Sequence, residues 1–431
     1  MSCYQMKNTH KEAEIERVII DELWREIGTN QSFTIPDQSH YPGVVVGVLQ
    51  WSILPQLRIA PNSMFSTPFV LTFSLLLSLP ILFFLAPRII PPKPHSLPIS
   101  PSDELDDINL FNRAITLANS HATTTATTNP SKFFHLSSKN PSLKIAFLFL
   151  TNTDLHFSPL WDLFFHDTPS NLFNIYIHAD PSVNITRPLS PLFAHKFIPS
   201  KRTFRSSPTL ISATRRLIAT ALLDDPANAY FALLSQHCVP LHSFTYTYRS
   251  LLLSPTFDSS DPESSRFGIR LKYKSFIEIL SHAPKLWKRY TSRGRYTMMP
   301  EITFEQFRVG SQFFTLTRRH ALLVVKDRTL WRKFKIPCYR DDECYPEEHY
   351  FPTLLSMIDP DGCTKYTLTR VNWTGTINGH PYTYRPPEVS PELIHQLRQS
   401  NKSESYLFAR KFTPDCLEPL MRIAKSVIFR D

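Results

Sequence analysis

A chain of 431 residues that is 42% hydrophobic and 13% aromatic has ample apolar material for a large core, which excludes disorder along its whole length. Glycine is scarce (9) and proline abundant (37), which argues against glycine-rich nucleotide loops and for rigid turns and an extended linker. The net charge of +10 is uneven: residues 1–63 hold five Lys/Arg against seven Asp/Glu, leaving 42 against 30, and these charges are dispersed, which suits an anionic ligand or lipid better than nucleic acid.

In chain order, residues 1–63 contain one amphipathic stretch, Lys11 to Ile27, then Pro36, Pro42 and Pro55 with little periodicity. They carry no chemistry and are expected to be a cytosolic tail or an extended gene model, since Met64 stands directly before an apolar run. That run, residues 69–86, is uncharged and about as long as a bilayer span. No small-residue cleavage site follows it, so residues 64–87 are expected to be an uncleaved signal anchor. Arg58 on one side faces Arg88 and Lys93 on the other, so flanking charge does not orient it. Three Asn-x-Ser/Thr sequons (Asn184, Asn372, Asn401) and five of the six cysteines follow the run, which favours a lumenal C-terminal part. Residues 88–142 read as a Pro/Thr-rich stem, a spacer holding a short acidic helix around Asp103–Ala118 that can dock on the domain C-terminal to it.

From Lys144 the texture changes to buried strands alternating with amphipathic helices. Strands are expected at Lys144–Leu150, Phe173–His178 and Tyr230–Leu234, with shorter ones at Phe267–Ile269, Gln312–Leu316 and Tyr366–Leu368. Helices are expected at Ser158–His166, Thr209–Asp224, His320–Asp327, His349–Met357 and Pro391–Ser400. The strand–helix–strand rhythm predicts an α/β fold with a parallel sheet, in one catalytic domain over residues 143–431.

The segment Tyr345-Pro346-Glu347-Glu348-His349 places two carboxylates just before an apolar helix. One of them can be a general base held at a pocket wall, or both can be ordinary acidic residues at a helix N-terminus. Asp180 ends the second strand, at the rim where open α/β sheets bind ligands, and Asp180-Pro181 is equally a turn dipeptide. Asp359-Pro360-Asp361 fits Asp-x-Asp, the usual metal pair of nucleotide-sugar enzymes, but runs into Gly362 as a turn would. No acidic pair follows the third strand, where Ser235-Gln236-His237-Cys238 stands instead. Trp373 offers a platform for a sugar or a large core aromatic, and if it lines a cleft the sequon at Asn372 goes unused. Cys338 and Cys344 flank the approach to Glu348, and a disulfide between them would brace that loop in an oxidising lumen.

Taken in order, the apolar run, the stem, Lys144-Ile145-Ala146-Phe147-Leu148, Ile177-His178-Ala179-Asp180, Leu233-Leu234-Ser235-x-x-Cys238-x-Pro240-Leu241, Gly310-Ser311-Gln312-Phe313-Phe314 and Pro346-Glu347-Glu348-His349 resemble the core-2/I-branching β-1,6-N-acetylglucosaminyltransferases, most closely their plant branch, whose domain was once classed as of unknown function. The resemblance covers residues 143–431 and the arrangement of anchor and stem. It implies a Golgi type II membrane protein with a GT-A-like, Rossmann-type domain that transfers a sugar with inversion from a nucleotide sugar, such as UDP-GlcNAc, to a glycan or glycoprotein acceptor. It implies no metal cofactor. Glu348 is then the base, and Lys411 with Arg385 neutralises the diphosphate, Arg410 being an alternative to Arg385. Asp180 contacts the nucleoside, while Trp373 and Glu347 adjoin the acceptor, although Glu347 is also placed to shape the turn.

One departure stands out. Plant relatives usually begin the helix after the second strand with tryptophan-glycine and carry acidic residues in it, whereas this chain reads Arg205-Ser206-Ser207-Pro208 with Ser212 and Thr214 at the acidic positions. That departure supports a competing expectation, an inactive relative that binds carbohydrate or acts as a scaffold. A glycoside hydrolase is a weaker reading, because adjacent Glu347 and Glu348 point apart rather than across a sugar.

Overall fold

The computed structural model describes residues 72–78, 99–126, 142–253, 273–339, 344–375 and 380–431. Two compact units are present, residues 1–84 and 85–431. In the first, residues 72–78 are helical, and the rest of the apolar run expected to be an anchor, like the tail before it, lies outside the described residues. Among the described residues no helix is long and apolar enough to cross a membrane.

The second unit is built on a six-stranded sheet in the order β2-β1-β3-β6-β5-β7. Strands β1 (Lys144–Thr151), β2 (Phe173–Ala179) and β3 (Asn228–Ser235) run parallel, with Leu148 opposite both Tyr176 and Leu233. β1 is buried on both faces, which is why its sequence is a continuous apolar run rather than an alternation. Successive side chains enter opposite layers. Ala146, Leu148 and Leu150 pack with the helices Pro208–Asp224 and Arg318–Lys326, whereas Ile145, Phe147 and Phe149 pack with Trp161, Phe164 and the C-terminal elements.

The sheet is mixed, not wholly parallel as expected. β6 (Thr315–Thr317) is antiparallel to both β3 and β5 (Ser275–Glu278), and β7 (Cys363–Lys365) is parallel to β5. Tyr366–Leu368, expected as a strand, is the link between β7 and β8 (Thr369–Val371). Three residues suffice for the chain to leave one sheet and enter another, and their apolar side chains face the core without a ladder. β8 belongs to a second sheet, β4-β9-β8, with β4 at Val239–Pro240 and β9 at Phe408–Arg410. The candidate strand Phe267–Ile269 lies outside the described residues.

The helix expected inside a spacer is longer and is part of the domain. It spans Pro101–Ala126, with Phe111 and Ala114 in the core against the helix Pro208–Asp224. Asp107 is buried and receives Arg216 at 2.6 Å, while Lys201 reaches Asp103 at 2.7 Å and Lys335 reaches Glu104 at 2.7 Å. This helix, N-terminal to residue 143, thus packs within the compact unit that holds the sheet. A buried ion pair is costly to leave half-made, which ties the helix to this one docking register.

Gly310 shows how tightly the loop before β6 is held. Its N–H donates to the carbonyl of Glu348 at 2.9 Å, and a Cβ on it would overlap the carbonyl oxygen of Glu278 and sit 2.8 Å from the carbonyl carbon. Gly310→Ala must displace backbone rather than a flexible side chain, and is expected to cost about 3 kcal/mol, seen as a fall of roughly 5 °C in thermal midpoint for a unit of this size.

Candidate active site

Glu348 ends a short 3-10 turn, Pro346–Glu348, directly before the helix Tyr350–Ile358. Its carboxylate takes an ion pair from Arg289 at 3.0 Å, with 28% of the side chain exposed. Burial pushes the Glu348 carboxyl above the ordinary range, Arg289 and Arg410 oppose that shift, and nearby Glu278 adds to it. Arg289 comes from the helix Leu286–Thr291, and its guanidinium also lies 5.0 Å from the Tyr345 ring. Glu278 ends β5, is raised by burial, and accepts from the backbone N–H of Ser311.

His349 is a structural residue next to Glu348. It is buried, stacked on Phe307 with ring centroids 4.5 Å apart, and donates from Nδ1 to the carbonyl of Arg308 at 2.8 Å. Burial depresses its pKa to about 3, so the ring is neutral.

Glu347, expected beside the acceptor, is instead buried, and burial pushes its carboxyl to about 8. The turn directs it inward, where it accepts from the backbone N–H of Ser206 and lies near Arg205. Its side chain is thus turned toward the loop that carries Ser206 rather than toward solvent. Ser206 and Tyr345 both adopt left-handed backbone, with φ of 56° and 42°. Two non-glycine residues in that region side by side mark an over-determined local structure.

Lys411 follows β9 and is half-buried. Its pKa is depressed by burial and by the charges of Arg410 and Arg205. Arg410 lies over Phe313 at 4.3 Å, and its charge acts on Glu348. Among the described residues no carboxylate pairs with Lys411. His237, just past β3, donates from Nδ1 to the carbonyl of Phe412 at 3.2 Å, and burial and Lys411 depress it to about 4. Where an acidic pair would hold a metal, this chain places a neutral imidazole facing cations.

Arg385 is exposed, and the charges acting on Lys411 are those of Arg410 and Arg205, with Arg385 not among them. Its backbone is close nonetheless: the N–H of Tyr384 donates to the Lys411 carbonyl at 2.8 Å. Asp180 is buried at the end of β2 with all of its acceptor capacity used, one oxygen on Ser182 (N–H 2.8 Å, hydroxyl 2.6 Å) and the other on Thr203 (N–H 2.9 Å, hydroxyl 2.7 Å). Burial raises its carboxyl, but these bonds outweigh that and hold it below its usual range. This geometry favours the turn role, in which Asp180 anchors the loop leading to Arg205. Trp373 is 52% exposed, so it is not a core aromatic. It lies two residues past β8, whose Val371 is in register with Arg410.

Cys338 and Cys344 are joined by a disulfide, with Cα atoms 6.3 Å apart. Asp359, the first residue of the formal Asp-x-Asp, binds His320 at 2.9 Å and Arg319 at 3.1 Å, a structural role next to Gly362. Ser212 and Thr214 are buried, the first bonded to Asp107 and the second to the carbonyl of Leu210 at 2.8 Å. They bear on helix docking, not on a ligand. Arg289 and Glu278 were not singled out from sequence, and Arg205 only as part of the departure from the plant relatives, since each gains its meaning only from a distant partner.

A family model described as Core-2/I-Branching enzyme matches residues 145–398. The chain is also 29% identical over 321 residues to Glycosyltransferase BC10 of Oryza sativa subsp. japonica, covering 63% of this chain and 74% of that relative. The matched span contains Asp180, Arg289 and the Glu347-Glu348 pair, while Lys411 lies beyond it.

Proposed function

The chain belongs to the Core-2/I-Branching enzyme family and is a glycosyltransferase, and on that premise we propose that it transfers a sugar with inversion from a UDP-linked donor, such as UDP-GlcNAc, to a glycan or glycoprotein acceptor. The observation that carries this reading is that Glu348, ion-paired with Arg289, also feels the charge of Arg410, whose chain neighbour Lys411 has no carboxylate partner among the described residues. Inversion requires a base on the acceptor side of the anomeric carbon and a positive environment on the leaving side. Glu348 takes the acceptor hydroxyl proton, and Arg289 holds its carboxylate in place. Lys411, with Arg410 behind it, stabilises charge on the departing diphosphate.

Metal-independent transfer is supported by the donor set: Ser235, Gln236 and His237 occupy the turn after β3, and Asp359 is committed to His320 and Arg319. The departure at Ser212 and Thr214 no longer argues for an inactive relative, because both side chains are engaged inside the protein. A Golgi type II arrangement, with the apolar run 69–86 as anchor, is supported by the sequon residues Asn184 and Asn401 on exposed loops and by the Cys338–Cys344 disulfide.

The test is a panel of UDP-sugars offered with glycan acceptors in the presence of a chelator, with product anomers assigned by NMR. Inverted product that survives chelation is expected, together with a glycosidase-sensitive mobility shift of the native protein. Retention of configuration, or no turnover on any donor, would overturn the reading.

A further inference from the structure

Arg205 stands where relatives usually carry tryptophan-glycine, and the structure gives it a position that this substitution alone does not explain. Its guanidinium is exposed, yet it is fixed on three sides. Nη1 donates to Nε2 of His380. The guanidinium carbon lies 5.9 Å from the centroid of the Tyr345 ring, which also carries Arg289 at 5.0 Å. The next residue, Ser206, is held in left-handed backbone by the bond from its N–H to the buried carboxylate of Glu347.

An arginine always donates, so Nε2 of His380 must be the accepting, unprotonated nitrogen. Burial and the charges of Arg205, Lys411 and Arg410 all depress the pKa of His380, which agrees with that state. The Tyr345 ring thus carries two arginines, of which Arg289 is ion-paired with Glu348 and Arg205 is bonded to His380, with its charge acting on Lys411. The cations on the Lys411 side are Arg205, Lys411 and Arg410, and the acidic group on the loop side is Glu347, which lies buried beneath Ser206. Arg205 is exposed and Lys411 half-buried, and among the described residues neither makes an ion pair with a carboxylate, an arrangement suited to an anion with more than one charge.

Resting on the glycosyltransferase reading above, we propose that Arg205 is a diphosphate-binding residue of this chain, clamping the nucleotide's phosphates opposite Lys411, and that Glu347 is the positioning residue that sets its loop. A planar guanidinium suits bidentate contact with phosphoryl oxygens. Glu347 then has a function distinct from Glu348: one carboxylate works on the acceptor and its neighbour shapes the donor clamp.

The experiment is calorimetric binding of UDP, uridine and inorganic pyrophosphate to the full chain. Arg205→Met should weaken UDP and pyrophosphate binding about 10- to 100-fold with uridine unchanged. Arg205→Lys, which keeps charge but loses the fork, should lower the UDP-to-uridine affinity ratio by a smaller factor, and it carries the test should the methionine variant not fold. An unchanged ratio in the variants, or an equal loss of uridine binding, would overturn the assignment. Wild type and Lys411→Met supply the separate control. If wild type binds UDP no better than uridine, the function itself is wrong; if Lys411→Met lowers the ratio and the Arg205 variants do not, only the role of Arg205 is.

Discussion

Glu348→Gln is expected to lower sugar transfer by about 100- to 10,000-fold while leaving UDP affinity unchanged. The amide keeps the shape and the contact with Arg289 but cannot accept the hydroxyl proton. Burial raises the Glu348 carboxyl, while Arg289 and Arg410 pull it down. The base form is present above its pKa, so the acid limb of transfer against pH should lie higher than an ordinary carboxylate would give. Arg289→Met removes a cation that favours the ionised form, so that limb should move to still higher pH. A limb that stays put would detach Arg289 from the base, and undiminished transfer by Glu348→Gln would remove Glu348 from the mechanism.

Lys411→Met is expected to lower transfer by about 100- to 1,000-fold, with weaker UDP binding and uridine binding retained. In the proposed mechanism the lysine is the leaving-group counterpart of Glu348, so its loss should be felt most where charge develops on the diphosphate. Burial and the charges of Arg410 and Arg205 depress its pKa. The ammonium therefore loses its proton at lower pH than an exposed lysine, and activity should fall earlier on the alkaline side. Lys411→Arg keeps its charge to higher pH, so any activity it retains should show that alkaline limb displaced upward. Transfer that is indifferent to Lys411→Met, measured at saturating donor, would leave the diphosphate without its assigned partner.

Much of the central sheet is legible locally. β1, β2 and β3 announce themselves as short apolar runs because both faces of each of these parallel strands are largely buried, even at the sheet edge held by β2. The helix Pro208–Asp224 carries a serine cap, Ser207, and a proline in its first turn. β6, β8 and β9 are harder, at three residues each, since so short a strand has no periodicity of its own and exists because a neighbour pairs with it. The helix Pro101–Ala126 shows the same limit from the other side. Its helicity can be read from sequence, but its membership of the domain rests on Asp107 meeting Arg216 across 109 residues.

The candidate site divides along the same line. In the sequence Glu348 and Lys411 stand out through the resemblance of their neighbourhoods to family motifs; the residues alone leave Glu347 and Glu348 equally open as acidic residues of a helix N-terminus. Which of two adjacent glutamates meets solvent is a matter of how the 3-10 turn is set into the fold: Glu347 is turned inward to Ser206 and Glu348 outward to Arg289. Asp180 keeps its predicted place at a strand end, yet the folded loop consumes its carboxylate. Arg205 and His380 stand 175 residues apart and Arg289 and Glu348 stand 59 apart, so neither pairing leaves a local trace. Backbone propensity and burial act over a few residues and are written into the chain segment by segment. Electrostatic partnership acts through space, and only the packed sheets decide which charges come within reach of one another.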